Sequence, residues 1–186
     1  MSAADPGPRV SRRGHAAELR PLGGWQRYSG RLMASYKLRP AAPADLEVIG
    51  ALEAATFSFE PYTDDLLALF LDRFAAFAFV AVAEGRLIGY VLAGPRARPE
   101  FELEPPLGWI NSLAVVSAWR RQGVARALFS SAVAALAAAG CTIVRLYADP
   151  TEQAACAFYR DLGLREVPGS NYSGRPRLTF ELAHSS

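Results

Sequence analysis

The strongest constraint on the fold is the stretch of residues 109–140, which predicts a buried strand, a tight turn and a long helix in direct succession. Residues 109–116 form an apolar run that ends at a polar turn. An Ala-rich helical sequence starts at about Gly123 and ends at Gly140, a glycine typical of a helix C-terminus. Because residues 142–147 have the pattern of another strand, the order strand, helix, strand predicts a parallel pair with a right-handed crossover.

Shorter patterns on both sides of this unit predict the remaining elements. Further strands are predicted at residues 36–39, 77–83, 87–92, 167 and 178–182, with a hairpin turn at Glu84-Gly85, a proline-rich loop at residues 94–107, and two helices, opened by Pro43 and Thr63, before the main sheet. In the second of these helices, Leu66, Phe70 and Phe74 are predicted to face the core. The last helix is predicted to begin at Asp149, with Glu152 as its capping-box partner.

Charge divides the chain into a basic leader and an acidic remainder. Residues 1–39 hold 8 Lys/Arg against 2 Asp/Glu, a net charge of +6, so the remainder holds 12 against 16, a net charge of −4. Residues 1–35 lack any period of 2 or 3.6 and predict a disordered basic leader before a single domain at 36–183. Alternatively, translation starts in frame at Met33, and the residues before it are not part of the native protein. The basic charges of the leader are dispersed, so we expect neither a nucleic-acid nor a membrane partner.

Several function classes conflict with the composition. The two histidines, His15 and His184, lie near the termini, so a Ser-His-Asp triad, a Cys-His pair or a His-ligated zinc site inside the fold is not expected, and no metal is predicted. Cys141 and Cys156 lie in apolar segments, which favours reduced core thiols and a cytoplasmic protein. No apolar run reaches the ~18 residues of a membrane span. The spacings of a dinucleotide fingerprint and of a P-loop are also absent.

The turn before the long helix has the features of an anion-binding site. A helix N-terminus presents free backbone amides and a positive dipole end, and small residues let a phosphate approach them closely. Three arginines surround the turn and add positive charge. The residues concerned are Arg120, Arg121, Gln122, Gly123, Val124, Ala125 and Arg126. A solvated basic helix start is the alternative interpretation of the same segment.

Leu113-Ala114-Val115, then Arg120-x-x-Gly123-x-Ala125, and later Ala157-Phe158-Tyr159-x-x-Leu162-Gly163-Leu164, together resemble the GNAT superfamily of acyl-CoA-dependent N-acetyltransferases. The order of elements over residues 36–182 is also similar to theirs. The resemblance implies an α/β (α+β) fold with a mixed, mostly antiparallel sheet, a central parallel strand pair and helices on both faces. It also implies direct acetyl transfer from acetyl-CoA, as a co-substrate, to an amine, and a homodimer is compatible with it.

Site residues follow from the resemblance for the donor. Backbone groups of Leu113, Ala114 and Val115 are expected to pair with the pantetheine arm, and the amides of residues 121–126 to hold the pyrophosphate. Tyr159 matches the family tyrosine that commonly protonates the leaving thiolate. A buried core aromatic is the alternative interpretation of Tyr159.

No residue matches a family base directly. The strand at residues 109–116 has no carboxylate, where some relatives carry a glutamate, and Glu152 stands where many carry an asparagine. Asn111 or Ser112 could position a water that acts as the base. Glu102, with Glu100 and Glu104 on the same face of an extended ribbon, could attract a cationic amine and order such a water, or belong to a solvated loop edge.

The acceptor is the least determined part of the prediction. Phe57, Phe59, Tyr62 and Trp109 are candidate walls of an acceptor pocket, or else core residues, and Arg175 and Arg177 are candidate contacts for an acidic group, or else solvated turn residues. The preferred function is an N-acetyltransferase for a primary amine of a small molecule or peptide. A catalytically degenerate acyl-CoA-binding module and a basic-tailed nucleic-acid binder are the competing functions.

Overall fold

The computed structural model describes residues 35–57, 61–96, 106–168 and 177–183, and the predicted leader lies outside them. The strands are β1 (Lys37–Pro40), β2 (Ala78–Ala83), β3 (Arg86–Arg96), β4 (Leu107–Val115), β5 (Ile143–Ala148), β6 (Arg165–Val167) and β7 (Leu178–Ala183). The α-helices are α1 (Leu46–Thr56), α2 (Asp64–Phe74), α3 (Val124–Ala138) and α4 (Gln153–Asp161). Within the described ranges this order confirms every predicted strand and helix, with shifted ends at several of them.

The described strands form one seven-stranded sheet in the order β1-β2-β3-β4-β5-β7-β6. All neighbouring strands are antiparallel except β4 and β5, which are parallel and joined through α3. The hairpin between β2 and β3 turns at Glu84 and Gly85, whose φ angles of 50° and 75° are both positive, as a type I′ turn requires. The predicted mixed sheet with one central parallel pair is therefore confirmed.

Helices cover the sheet on two faces and create two hydrophobic clusters. On one face, α3 buries Leu128 and Leu136 against Val91 of β3 and Val144 of β5. On the other face, α1 and α2 bury residues such as Ile49 against β2, β3 and β4. A fully buried leucine contributes about 2 kcal/mol through the apolar surface that it removes from water. The central strands β3 and β4 are thus enclosed between two apolar layers.

Three local predictions are wrong, two of them on helices and one on a strand, each for an identifiable reason. Leu66 was expected to face the core but is 49% exposed, because α2 packs against the sheet through the face that carries Leu67 and Leu71. Asp149 does not cap α4, since its carboxylate accepts hydrogen bonds from the amide and hydroxyl of Thr151. These two bonds close a turn, and α4 starts only at Gln153.

Strand β3 also differs from its prediction, because it continues through Pro95 to Arg96 instead of ending at residue 92. Gly94 and Pro95 pair with Trp109 and Gly108 of β4, so the predicted loop begins later than expected. The extension places Arg96 beside Trp109 at the edge of the candidate site.

Candidate functional site

The central parallel strands separate part-way along their length. Residues 107–110 of β4 pair with residues 143–146 of β5, and the pairing stops after Ile110 and Leu146. A register shift against β3 at the same level pairs Ser112 with Leu92 and Ile110 with Ala93, which leaves Asn111 as the extra residue of a β-bulge. Beyond this bulge β4 pairs with β3 alone within the described sheet. The edge of β4 that faces away from β3 is therefore available to an extended ligand.

The predicted anion site lies directly after this opened strand. A short 3-10 turn at Ser117–Trp119 leads to Arg121 and Gly123, whose φ angles are 63° and 82°. The first hydrogen bond of α3 runs from the Ala127 amide to the Gly123 carbonyl, 3.0 Å long, so the amides before Ala127 precede the helical ladder. Left-handed residues in such a turn direct backbone amides into one concavity, which suits an anion.

The arginines around this turn have two different positions. Arg120 donates from Nε to the Val115 carbonyl at 3.1 Å and so ties the turn to the end of β4. Gln122 similarly donates to the Ala118 carbonyl at 2.9 Å. Arg121 and Arg126 are exposed and can approach an anion at the amides. The structure thus gives Arg120 an architectural contact that its charge alone did not predict.

Tyr36 lies beside the same turn, a proximity that no sequence pattern predicts. Its hydroxyl is 3.9 Å from the position that a Cβ atom on Gly123 would occupy. A phenol is protonated at neutral pH and can donate a hydrogen bond, and burial raises the pKa of Tyr36 further above its ordinary value. Tyr36 directly precedes β1 and is far from Gly123 in the sequence. No spacing of residues therefore predicts that the two lie close together.

Tyr159 lies on α4 and packs against two phenylalanines. Its ring centroid is 5.6 Å from that of Phe180 and 5.4 Å from that of Phe158. Removal from water, with a smaller contribution from the Cys156 thiol, raises the pKa of the Tyr159 phenol to about 12. The hydroxyl therefore keeps its proton at any ordinary pH, which is the state a proton donor needs. The core contacts of the ring and a donor role for the hydroxyl are compatible.

An aromatic pair lies on the face of the sheet opposite Tyr159, near the point where β4 and β5 separate. Trp109 and Tyr147 meet edge to face with centroids 4.7 Å apart, and the Arg96 guanidinium lies 4.1 Å from the centre of the Trp109 ring. Trp109 belongs to β4 and Tyr147 to β5. Trp109 is only 6% exposed, so the half-buried Tyr147 and the exposed Arg96 provide most of the accessible surface at this point. Tyr147 was not among the predicted site residues.

The other predicted acceptor residues are distributed differently. Phe57 and Tyr62 are half-buried and pack against the cluster beneath α1 and α2, which favours their core interpretation. Arg177 pairs with Asp149 at 3.6 Å. Phe59, Arg175 and the glutamates 100, 102 and 104 lie outside the described residues, so the role predicted for Glu102 stays a prediction.

One buried carboxylate near the bulge was missed. Glu53 of α1 is 3% exposed and accepts a hydrogen bond from Ser112 of β4 at 2.7 Å. The available signal was its spacing from Ile49, since residues four apart share one face of a helix. A carboxylate one turn after a core isoleucine is unusual enough to mark a buried polar contact.

The described residues include no helix that is long and apolar enough to cross a membrane. A family model described as "Acetyltransferase (GNAT) family" matches residues 46–164. N-alpha-acetyltransferase 30 of Schizosaccharomyces pombe is 30% identical over 104 residues, which cover 56% of this chain and 67% of that protein.

Solved structures show the same fold at low identity. A structure of the NatC complex bound to Gag peptide and CoA superimposes with a TM-score of 0.72 at 20% identity, covering 81% of this chain and 99% of the matched one. Ard1 from Thermoplasma volcanium gives a TM-score of 0.70 at 21% identity, with coverage of 81% and 99%.

Proposed function

Because this chain belongs to the GNAT acetyltransferase family, and so is an acyltransferase with acetyl-CoA as co-substrate, we propose that its acceptor is the α-amine of a peptide. The proposal is finer than family membership, which leaves the acceptor open. Its main support is the 30% identity to an enzyme named for N-α-acetylation. A small-molecule amine is the alternative acceptor.

The described residues fit acetyl-CoA on two counts. Beyond the Asn111 bulge, the free edge of β4 at Leu113, Ala114 and Val115 suits the pantetheine arm, whose amides can pair as a further strand would. The turn at residues 121–126 suits the pyrophosphate, because its amides precede the ladder of α3 and Gly123 adopts a φ of 82°. Bound there, acetyl-CoA supplies an activated thioester.

We infer direct attack of the amine on this acetyl group, because neither cysteine is suited to carry it. Cys141 and Cys156 are both buried, and burial raises the pKa of both thiols. A protonated thiol is a poor nucleophile. Direct transfer needs one group that takes a proton from the amine and another that protonates the leaving thiolate. We assign the second role to Tyr159, whose phenol is held neutral by burial.

For the amine proton, we propose that Asn111 positions a water. Asn111 is the extra residue of the β4 bulge and is only half-buried, so its amide can hold a water at the point where the strands separate. This water would accept the proton from the amine and pass it to bulk solvent. Glu102 remains a second candidate for this step.

The experiment is a thiol-release assay with acetyl-CoA and a matched acceptor panel. One peptide has a free N-terminus and no lysine, its twin has a blocked N-terminus and one internal lysine, and polyamines and aminoglycosides represent small amines. We expect turnover with the first peptide, and mass spectrometry should place the acetyl group on its α-amine. Turnover confined to the lysine peptide or to small amines would contradict the proposal.

The same panel tests the catalytically degenerate alternative. An acyl-CoA-binding module would show an increase in melting temperature with acetyl-CoA but no thiol release with any acceptor. An active enzyme shows both the increase in melting temperature and the thiol release.

The peptide panel should also vary the first two residues of the peptide. The segments next to the site carry the side chains that would select those residues.

A further inference from the structure

Glu53 is a buried carboxylate that accepts three hydrogen bonds from three different parts of the fold. Its Oε2 accepts from the Tyr90 hydroxyl of β3 and, at 2.7 Å, from the Ser112 hydroxyl of β4. Its Oε1 accepts from the Tyr62 amide at 3.4 Å, in the segment between α1 and α2. The two hydroxyl oxygens are also 3.0 Å apart. A single side chain thus connects α1, the segment after it and the two central strands.

Glu53 differs from the other buried carboxylates in the described ranges. Asp45 pairs with Arg39 at 2.6 Å, and Glu181 with Arg145 at 2.7 Å. No arginine or lysine pairs with Glu53 among the described residues, and only hydroxyl and amide donors surround it. Burial accordingly raises its pKa, while the Ser112 and Tyr62 bonds lower it. A buried carboxylate without a cationic partner costs stability. Its presence is therefore better explained by a contribution to function than by a contribution to stability.

The position of Ser112 indicates what that contribution is. Ser112 directly follows Asn111, the bulge residue at which β4 leaves β5. Tyr90 contacts the same carboxylate oxygen but belongs to β3, which does not border the opening. Of the two hydroxyl donors, only Ser112 therefore connects Glu53 to the backbone where the acetyl group must lie under the proposed function.

We propose that Glu53 is a positioning residue for acetyl transfer, which fixes the Asn111 bulge of β4 relative to the segment between α1 and α2 through Ser112 and the Tyr62 amide. The inference rests on the proposed function, because it concerns the geometry of that reaction. A displacement of reacting groups of about 1 Å can cost about 100-fold in rate, so one anchoring bond at this point has a large effect.

Ser112→Ala and Tyr90→Phe form a matched pair for the test. Each variant removes one hydroxyl donor from Glu53 Oε2 and leaves a buried apolar group in its place. Melting temperature measures the structural cost, and titration measures acetyl-CoA affinity. The kinetic readouts are kcat and the KM values of acetyl-CoA and of the best acceptor from the panel. Glu53→Gln, which keeps the volume of the side chain but removes its charge, is the third variant.

We expect Ser112→Ala to lower kcat by about tenfold or more and to raise the acceptor KM, with acetyl-CoA affinity within about twofold of the wild type. Tyr90→Phe should lose about threefold or less at a comparable melting temperature. Glu53→Gln should be at least as impaired as Ser112→Ala, because an amide cannot accept all three bonds.

Equal kinetic losses in Ser112→Ala and Tyr90→Phe that follow melting temperature would overturn the inference and leave Glu53 a structural residue. This comparison stands even if Glu53→Gln fails to fold. A wild-type protein that binds acetyl-CoA but acetylates no amine would instead refute the proposed function. The two failures are distinguishable, because only the second concerns the unmodified chain.

Discussion

The donor half and the acceptor half that we propose for this site are built in opposite ways. The donor half consists of backbone from one continuous stretch, residues 107–126, in which a strand edge leads into a turn with two left-handed residues. The acceptor half would depend instead on side chains from separate elements, among them Trp109 of β4 and Tyr147 of β5, with Glu53 of α1 proposed to position the adjoining backbone. Backbone recognition tolerates many sequences, whereas an assembly of side chains changes with each substitution. The half that identifies the family therefore carries little information about the acceptor.

The largest expected effect tests whether the donor half depends on its backbone. Gly123→Leu should raise the dissociation constant of acetyl-CoA by about 100-fold or more, because a side chain at this turn blocks the amides from the pyrophosphate. The same change forces a leucine to adopt a φ of 82°. Isothermal titration with acetyl-CoA measures the loss.

Gly140→Leu is the matched control for this strain. Gly140 has a φ of 86° and follows the opposite end of α3, and among the described residues no atom outside its own stretch of chain lies within 4 Å of the Cβ position there. Both variants should lose about 1 to 3 kcal/mol of stability from the left-handed backbone, but only Gly123→Leu should lose binding. Similar acetyl-CoA affinities in the two variants would contradict the assignment of the turn.

The next effect concerns chemistry between the two halves. Tyr159→Phe should lower kcat by about 100-fold, since the leaving thiolate loses its proton donor, while acetyl-CoA affinity stays near that of the wild type. The ring contacts with Phe158 and Phe180 remain, so the melting temperature should change little. Single-turnover rates are the measurement that isolates the chemical step. A variant with the full single-turnover rate would return Tyr159 to a core role.

The same contrast explains how much the sequence predicted. Gly123 was identified at the turn before α3 because a local sequence pattern predicts a local helix start, and the structure adds a left-handed φ of 82° that the sequence analysis did not predict. Glu53 and Tyr36 were missed because their neighbours at the site lie far away in sequence, and hydrogen-bond partners such as Ser112 are chosen by packing. Asp149 was misassigned for a related reason, since Thr151 competes for its carboxylate. Backbone features were readable, and most side-chain partnerships were not.

A smaller effect should separate charge from backbone within the donor half. Arg126 lies in the first turn of α3, where a cation opposes the helix dipole, and it is exposed. Arg126→Gln should weaken acetyl-CoA binding by about threefold to tenfold at low salt and by less at high salt. The helix itself should become slightly more stable.

Arg73→Gln is the control for this charge change. Arg73 lies in the last turn of α2, where the dipole favours a cation, so its removal should slightly lower stability without changing acetyl-CoA affinity. The two arginine variants are thus expected to change stability in opposite directions. If Arg126→Gln and the wild type have equal affinities for acetyl-CoA at every salt concentration, the amides bind the pyrophosphate without help from Arg126.

The smallest expected effect lies in the pH dependence of the rate and concerns the protonation state of Tyr159. Burial raises the pKa of its phenol from 10.0 to about 12, and the neutral phenol, which is the donating form, is lost only as the pH rises through that higher value. At pH 10 about 1% of a phenol with a pKa of 12 is ionised, against about half of an ordinary tyrosine. The single-turnover rate at saturating substrates should therefore show no decline from pH 8 to pH 10. A decline of about twofold by pH 10 in the wild type, absent from Tyr159→Phe, would mean that solvent reaches the phenol and that its surroundings are more polar than the contacts with Phe158 and Phe180 imply.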